Sequence, residues 1–278
     1  MDIESDDKRV PESLIIIAGK GAYPLELAQS ARDQGVRRIC AVAFKGETSR
    51  RLQGLVDEIC WVNIGSLAKF LKCVGQYGIE KAVMAGQITP TALFRLRPDK
   101  KMLNILSGLK LRNAETLFGA VASELSAAGV QLQPAYLFMK GSMPAEGLLS
   151  SRAPNEREDY DIKLGIKVAK TTSGLEIGQT VVVKEGTIVA VEAFEGTDQT
   201  ILRAGRLCRK GAVVVKLAKH GHDMRFDIPV VGMRTMRVLK RSGATALALE
   251  AERTILLERE RVIKRAEELG VAIVAFKA

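Results

Sequence analysis

Residues 14–44 have the sequence LIIIAGKGAYPLELAQSARDQGVRRICAVAF, and this stretch decides the fold of the first half of the chain. Its first five residues are apolar, which is typical of a strand buried on both faces of a parallel sheet. Pro24 suits the first turn of a helix, and apolar residues recur at helical spacing up to Asp33. A second apolar run follows Gly35 at residues 39–44, so the stretch predicts a strand–helix–strand unit.

The same alternation continues further along the chain. It predicts strands at residues 59–62 and 81–85 and helices at residues 67–77 and 115–128. Strands and helices that alternate with short connections favour a doubly wound, mostly parallel sheet. We therefore predict a small Rossmann-like α/β domain over residues 1–138.

The second half has a different pattern. Residues 139–157 are rich in Gly, Ser and Pro with little periodicity, so we interpret them as an inter-domain linker. Two apolar runs, 180–184 and 187–194, meet at the two-residue turn Glu185-Gly186 and predict a hairpin. Further strands are expected at 211–218, 245–249 and 271–276, and helices at 159–170, 235–241 and 258–269. Residues 158–278 are thus predicted to form a mixed α/β domain.

Composition and charge narrow the class of protein. The formal net charge is +10, which fits an anionic lipid surface, a polyphosphate or a nucleic acid. One Trp, four Tyr and no basic-aromatic signature disfavour nucleic acid. Residues 1–13 are unlike a signal peptide, and no apolar run approaches the ~20 residues of a membrane span. Four scattered cysteines without CxxC spacing predict reduced core thiols, with a disulfide or a zinc site as the alternative, so we expect a cytoplasmic protein that does not cross a bilayer.

A glycine pair, Gly19-Lys20-Gly21, separates the first strand from the first helix. Small residues at this place let backbone amides approach a phosphate, and a helix N-terminus favours the anion. The third glycine of a dinucleotide fingerprint is absent, and Lys45 rather than an acid follows the second strand, so NAD is disfavoured. The loop predicts a nucleotide or diphosphate ligand, with a tight turn that binds nothing as the alternative.

A second loop, Gly86-Gln87, follows the strand at 81–85, at the sheet edge where such folds bind ligands. Gln87 suits the edge of a uracil or a sugar, and a plain loop is the alternative.

Residues 92–112 interleave apolar and basic side chains. This mixture is typical of a surface that touches anionic lipid, or of a packed helix with a solvated basic face.

Acidic residues follow the predicted hairpin. Glu192 and Glu195 would point to opposite faces of a regular strand, but Gly196-Thr197 breaks the strand and can bring Glu195 beside Asp198. Two carboxylates near a diphosphate are typical ligands of a hard cation. Solvated acids at a strand end are the alternative.

The densest group of ionisable residues lies at 219–227 and includes both histidines, His220 and His222. Asp227 stands before an apolar run, so we expect a partly buried carboxylate that needs a cation or a donor. Lys219 and Arg225 suit phosphate oxygens, because charge builds on them during diphosphate hydrolysis. A transition-metal site and a structural ion network stay open as alternatives.

At these residues the chain resembles the LpxI-type UDP-2,3-diacylglucosamine pyrophosphatases of lipid A biosynthesis. The resemblance extends over residues 14–276 and is strongest in the second half. The matching motifs are Ile177-Gly178-Gln179, Ala190-Val191-Glu192-Ala193, Glu195-Gly196-Thr197-Asp198, Lys219, Asp223-Met224-Arg225-Phe226-Asp227, Pro229, Gly232 and Thr235. Ala18-Gly19, Gly21 and Pro24 match the opening loop, whereas Glu115, Glu176, His220 and His222 depart from the family pattern.

The resemblance implies a two-domain enzyme that cleaves the diphosphate of UDP-2,3-diacylglucosamine with Mg²⁺, giving UMP and 2,3-diacylglucosamine 1-phosphate. Its expected place is the cytoplasmic face of the inner membrane, as a peripheral protein, with homodimerisation left open. Asp227 and Asp223 are the expected catalytic residues, and Asp227, Glu195 and Asp198 the expected metal ligands. The expected substrate-binding residues are Gly19, Lys20, Gly21, Gln87, Gln179, Gly196, Thr197, Lys219, Arg225 and Thr235.

Two other functions compete with this one. The first is a nucleotide-dependent oxidoreductase built on the first domain, which the missing ribose-binding acid disfavours. The second is a basic lipid- or nucleic-acid-binding protein without activity, which would bind any polyanion in a salt-sensitive way.

Overall fold

The computed structural model describes residues 10–88, 97–109, 114–175, 177–218, 224–225 and 228–277. The chain forms two units. The first comprises residues 1–138 with residues 224–226, and the second comprises residues 139–223 with residues 227–278.

The first unit contains a five-stranded parallel sheet. The strands are β1 (Ser13–Ala18), β2 (Arg38–Phe44), β3 (Glu58–Val62), β4 (Lys81–Ala85) and β5 (Gln131–Gln133), in the order β3-β2-β1-β4-β5. Residues 14–18 of β1 are all buried, because helices cover both faces of a doubly wound sheet. This is the topology that the strand–helix alternation predicts.

Among the described residues, four helices accompany this sheet: α1 (Tyr23–Asp33), α2 (Leu67–Gln76), α3 (Lys100–Gly108) and α4 (Ala114–Ala127). Pro24 lies in the first turn of α1, and Leu27, Ala28 and Ala31 form its buried face. A short 3₁₀ helix (Arg50–Gly54) connects β2 to β3.

A disulfide joins Cys60 on β3 to Cys73 on α2, and their Cα atoms are 6.2 Å apart. The expectation of four reduced cysteines is therefore wrong for this pair, while Cys40 and Cys208 are free thiols. The packing of α2 on the edge of the sheet brings the two residues together, and their separation of 13 in the sequence resembles no redox or zinc motif.

The second unit contains a mixed six-stranded sheet in the order β6-β13-β11-β9-β7-β8. These strands are β6 (Gly147–Leu148), β7 (Thr180–Lys184), β8 (Thr187–Val191), β9 (Val213–Lys216), β11 (Ala246–Glu250) and β13 (Ala272–Phe276). The central three, β9, β11 and β13, are parallel, and the hairpin β7–β8 and the short β6 are antiparallel to their neighbours. Two further strands, β10 (Val230–Val231) and β12 (Ile255–Leu256), form a separate parallel pair.

In the described part of this unit, four helices complete three layers: α5 (Glu156–Gly174), α6 (Thr197–Cys208), α7 (Met233–Ser242) and α8 (Arg259–Leu269). Apolar residues of α6, α7 and α8 pack on one face of the sheet, and those of α5 on the other. The predicted fold class, a Rossmann-like domain followed by a mixed α/β domain, is confirmed.

Two segments of this unit that the sequence predicts as a linker and as a hairpin turn have defined structures. The stretch predicted as a linker, residues 139–157, belongs to the second unit, where it contains a 3₁₀ turn (Lys140–Ser142) and strand β6. The hairpin turn at Glu185-Gly186 has positive φ angles of 50° and 75°, which a two-residue turn of this class requires. The Asp161 carboxylate of α5 accepts hydrogen bonds from both turn amides, at 2.8 and 2.7 Å.

Candidate functional site

The two predicted ligand loops lie at the carboxyl edge of the first sheet and are hydrogen-bonded to each other. The strand order changes direction between β1 and β4, which are parallel, and open α/β sheets bind ligands at such a point. Gly19–Gly21 follows β1, and Gly86-Gln87 follows β4. The Lys20 amide donates to the Gln87 carbonyl at 2.7 Å, and the Gln87 amide donates to the Lys20 carbonyl at 3.1 Å. Gly19–Gly21 and Gly86-Gln87 therefore form one double-stranded lip.

Two of the three glycines of this lip, Gly19 and Gly86, are required because the two backbones approach each other closely. A Cβ on Gly19 would lie 2.6 Å from the Gln87 carbonyl oxygen, and one on Gly86, whose φ is +91°, would lie 2.7 Å from the Lys20 carbonyl oxygen. The Gly19 amide donates to Ala85 at 2.7 Å and the Lys20 amide to Gln87. Within the described part of the chain, Gly21 is then the loop residue whose amide is left to donate to a ligand.

An apolar cleft adjoins this lip. Its walls come from β1, β2, β4, α2, α3 and α4, and both Gly19 and Gly86 line it. The empty space is about 810 Å³, counting the opening to solvent. The rings of Phe44 and Phe70 stack in its wall with centroids 6.3 Å apart. The side chains of Lys20 and Gln87 are exposed beside it.

In the second unit, Gly196-Thr197 starts helix α6 beside a buried acid. Gly196 precedes the helix with a φ of 81°, a conformation that glycine adopts without strain. The Thr197 hydroxyl donates to the Glu192 carboxylate at 3.0 Å and lies 3.2 Å from the Thr180 hydroxyl. Glu192 is only 7% exposed, so this hydroxyl satisfies a buried charge.

Glu195 and Asp198, predicted as metal ligands, each pair with an arginine. Arg203 donates to Glu195 at 2.6 Å, and Arg234 donates to Asp198 at 2.5 Å. Burial alone would raise the pKa of Glu195, but hydrogen bonds from Arg203, a backbone amide and Thr200 outweigh it and hold the pKa below its usual value. No group of three His, Cys, Asp or Glu residues arranged to hold a metal occurs within the described ranges.

Two buried ionisable residues that sequence reasoning missed, Lys216 and Glu250, lie at the carboxyl ends of β9 and β11. Lys216 and Glu250 are each 4% exposed. The Lys216 ammonium donates to the Val230 carbonyl at 3.1 Å, and Glu250 accepts from the Ala218 amide at 2.7 Å and from Arg253 at 3.4 Å. A lysine that ends an apolar run was the available signal, because buried lysines are rare without a partner. Lys216 and Ala218 lie just before the segment 219–227 in the sequence.

The remaining predicted residues are distributed over both units. Gln179 precedes β7, and its carbonyl accepts from Leu217 at 3.1 Å. Thr235 is buried in the first turn of α7, where its hydroxyl accepts from the Gly232 amide at 3.5 Å. Arg225 is exposed and follows Met224, whose carbonyl accepts from Ala135 at 2.9 Å. Lys219, His220, His222, Asp223 and Asp227 lie outside the described residues.

Comparison with known proteins gives matches along nearly the whole chain. The model of the LpxI N-terminal domain matches residues 13–141, and that of the LpxI C-terminal domain matches residues 145–274. The UDP-2,3-diacylglucosamine pyrophosphatase LpxI of Caulobacter vibrioides is 30% identical over 275 residues, which cover 93% of this chain and 95% of that protein.

Solved structures resemble the chain only slightly. The biotin carboxylase domain of the Hydrogenobacter thermophilus 2-oxoglutarate carboxylase has a TM-score of 0.29 at 12% identity, over 70% of this chain and 40% of that one. Phosphoribosylglycinamide synthetase of Anaerococcus prevotii has a TM-score of 0.26 at 14% identity, over 64% of this chain and 37% of that one. The chain spans well under half of these structures, and we base no functional argument on them.

Proposed function

The chain belongs to the LpxI family, and from this premise we propose that it hydrolyses the diphosphate of UDP-2,3-diacylglucosamine to UMP and 2,3-diacylglucosamine 1-phosphate. The observation that carries the proposal is the 30% identity to a UDP-2,3-diacylglucosamine pyrophosphatase over 95% of that protein. Both halves of the chain match the corresponding LpxI domain models, so neither part of a two-domain enzyme is missing.

The residues proposed for the chemistry lie mainly at 219–227. Asp227 activates or positions the attacking water, Asp223 is the second proposed catalytic residue, and Lys219 and Arg225 neutralise the diphosphate. The substrate-binding role of the Gly19–Gly21 loop depends on Gly21, because the structure uses the amides of Gly19 and Lys20 within the lip. Gln87 offers an exposed side chain on the same lip.

A divalent cation, Mg²⁺ for preference, is part of the proposal as a neutraliser of phosphoryl charge. Glu195 and Asp198 do not fit it as they stand, because each is held by an arginine and no third acid joins them among the described residues. The proposed cation therefore depends on Asp227, and we assign no step to it.

The hydrolysis is tested by measuring UMP release from the diacylated UDP-sugar, with and without EDTA. We expect turnover by the wild-type protein and its loss in EDTA. Failure to release UMP would overturn the proposed function, and full turnover in EDTA would remove the cation from it. Added NAD should change neither the absorbance nor the melting temperature, which separates the hydrolase from the rival oxidoreductase.

The Asp227→Ala variant tests the central residue. Removal of a group that handles the attacking water should lower turnover by about 10²–10⁴-fold, while substrate still raises the melting temperature. Asp159→Ala, which removes an exposed aspartate of α5, is the matched control and should keep the wild-type rate. A wild-type rate in Asp227→Ala would end the assignment of this residue.

Peripheral attachment to the cytoplasmic face of the inner membrane is the proposed location. No helix within the described residues is long and apolar enough to cross a bilayer. The described part of the stretch at 92–112 has exposed Arg97 and Lys100 close to Leu103, which is 50% exposed. Such a surface suits an anionic lipid bilayer. Homodimerisation is a further proposal, which light scattering tests.

A further inference from the structure

The apolar cleft of the first unit leaves several large apolar side chains partly exposed, which is unusual inside a small α/β unit. Large apolar side chains normally complete the core of a small α/β unit, but Phe44, Met84, Phe118 and Val121 line the cleft and are only partly buried. Burial of apolar surface is the main favourable contribution to folding, so an open apolar cleft inside a unit indicates a site that an apolar ligand completes.

The chemistry of the walls excludes a polar ligand. Asn63 and Ser66 are the polar residues at the cleft, and no charged residue lines it among those that the structure describes. A uracil or a sugar placed there would find only these two polar side chains in place of its hydrogen bonds to water. The aromatic faces of Phe44 and Phe70 are already stacked on each other. The walls therefore favour a flexible aliphatic chain.

The position of the cleft connects it to the proposed substrate. Gly19 and Gly86, which line it, belong to the lip where the sheet presents its ligand-binding edge. A chain in the cleft can thus reach the lip without crossing a wall of the first unit.

One residue, Asp99, fixes the position of α3 at the opening of the cleft. The Asp99 carboxylate accepts from the Ala68 and Met102 amides, both at 2.8 Å, and the Asp99 amide donates to the Gly65 carbonyl at 3.1 Å. These bonds join the start of α3 to the start of α2. Met102 lines the cleft, and the adjacent Leu103 is half-exposed to solvent.

We propose that this cleft binds an acyl chain of the diacylated UDP-sugar. The proposal rests on the proposed function for the identity of the ligand, but the cleft itself is an acyl-binding site whether or not turnover follows. Each buried methylene strengthens binding by about fourfold, so affinity should rise steeply with chain length.

The first test fills the cleft from α4. Val121→Trp places a large ring in it, whereas Ser123→Trp places the same ring on the exposed side of the same helix. Substrates with acyl chains of about four and about fourteen carbons are compared, because their difference isolates methylene burial. We expect Val121→Trp to raise the KM for the long-chain substrate by at least about tenfold and to leave the short-chain KM within about twofold. Ser123→Trp should behave as wild type, and an unchanged chain-length dependence in Val121→Trp would overturn the proposal.

A second test does not need turnover. A fatty acid carrying a dansyl reporter is titrated into the full chain and its emission recorded. Saturable binding by wild type and Ser123→Trp, weakened about tenfold or more in Val121→Trp, supports the cleft even if no UMP is released. Equal binding by all three proteins overturns it even if the hydrolysis is normal.

A third measurement uses the wild-type protein, so its result does not depend on whether Val121→Trp folds correctly. A fatty acid bearing a photoreactive diazirine is cross-linked to the wild-type protein, and the labelled peptides are identified by mass spectrometry. Label on the peptides that contain Met84, Phe118 or Val121, competed by unlabelled fatty acid, supports the proposal. Competed label that falls only elsewhere in the chain overturns it.

Discussion

At the scale of single residues, the glycines of the lip show that a ligand-loop pattern can have a structural cause. Gly19 and Gly86 are needed because two backbones approach within van der Waals distance of the positions that their Cβ atoms would occupy. Gly21 differs from them, because it has open space around it and a φ of +104°. The same GKG sequence thus combines a packing requirement at its first glycine with a conformational one at its second.

Gly19→Ala is expected to destabilise the first unit. Its methyl group would meet the Gln87 carbonyl at 2.6 Å, and overpacking of this kind costs about 1–3 kcal/mol. Urea unfolding of the full chain measures the change. Gly75→Ala is the control, since that glycine lies exposed in α2 with no atom within 4 Å of the added methyl, and it should be neutral or stabilising by about 0.5–1 kcal/mol. Equal stabilities of the two variants would contradict this explanation of Gly19.

At the scale of elements, the start of α5 shows how a polar segment is fixed on a mixed sheet. Asn155 and Glu158 form a capping box, and Arg152 binds both oxygens of the Glu158 carboxylate, at 2.8 and 2.9 Å. Arg152 also donates to the Gly270 and Thr245 carbonyls. One arginine therefore connects the segment before α5 to the ends of two other elements, which a Gly- and Pro-rich sequence does not suggest.

Glu158→Gln should weaken the second unit in a pH-dependent way. Burial would raise the pKa of Glu158, but hydrogen bonds from Arg152 and from the Asn155 amide dominate and lower it. A lowered pKa means that the stabilisation is complete above the unfolded value of 4.5 and is lost as the pH falls through the folded value. We expect a loss of about 1.5–3 kcal/mol at pH 7, which shrinks toward pH 3.

Urea unfolding of the wild type and the variant at several pH values measures this difference. Glu156→Gln, at an exposed position in the same first turn, should stay within about 0.5 kcal/mol of wild type throughout. A difference for Glu158→Gln that is constant between pH 7 and pH 3 would show that the ion pair does not carry the stability.

At the scale of the whole molecule, the charge of +10 is a property of a protein that acts on an anionic, lipid-linked substrate. Charge alone attracts the chain to any polyanion, so it does not identify the partner. A lipid surface adds apolar insertion to this attraction, and under the proposed membrane attachment the half-exposed Leu103 is the residue that would insert.

Binding to vesicles that contain anionic lipid should therefore decrease with salt, because counterions screen the attraction. Leu103→Glu should weaken the binding by about tenfold, since it removes an exposed apolar side chain that would insert into the bilayer and adds charge repulsion. Leu207→Glu changes a leucine of α6 that is 67% exposed and should have a smaller effect. Vesicle co-sedimentation at two salt concentrations measures both variants, and equal weakening would mean that α3 is not the contact.

Local pattern was sufficient for the fold class, because strands such as β1 and helices such as α1 show their burial directly in the spacing of apolar residues. It failed for α6 (Thr197–Cys208), whose Gly205 argues against a helix. Tertiary packing explains that glycine, because a Cβ on it would lie 2.6 Å from the Ser242 Cα of the neighbouring helix.

The sequence by itself determined the fold class, the glycine-containing loops after β1 and β4, and the residues that relate the chain to LpxI proteins. Only the tertiary structure decided that the amides of Gly19 and Lys20 donate to backbone carbonyls within the first unit. It also decided that Glu195 and Asp198 form ion pairs with different arginines, and that an apolar cleft lies beside the glycines. The physical reason is distance along the chain. Periodicity reports contacts within one element, whereas ion pairs, close backbone approaches and cavities arise between elements that are far apart in the sequence.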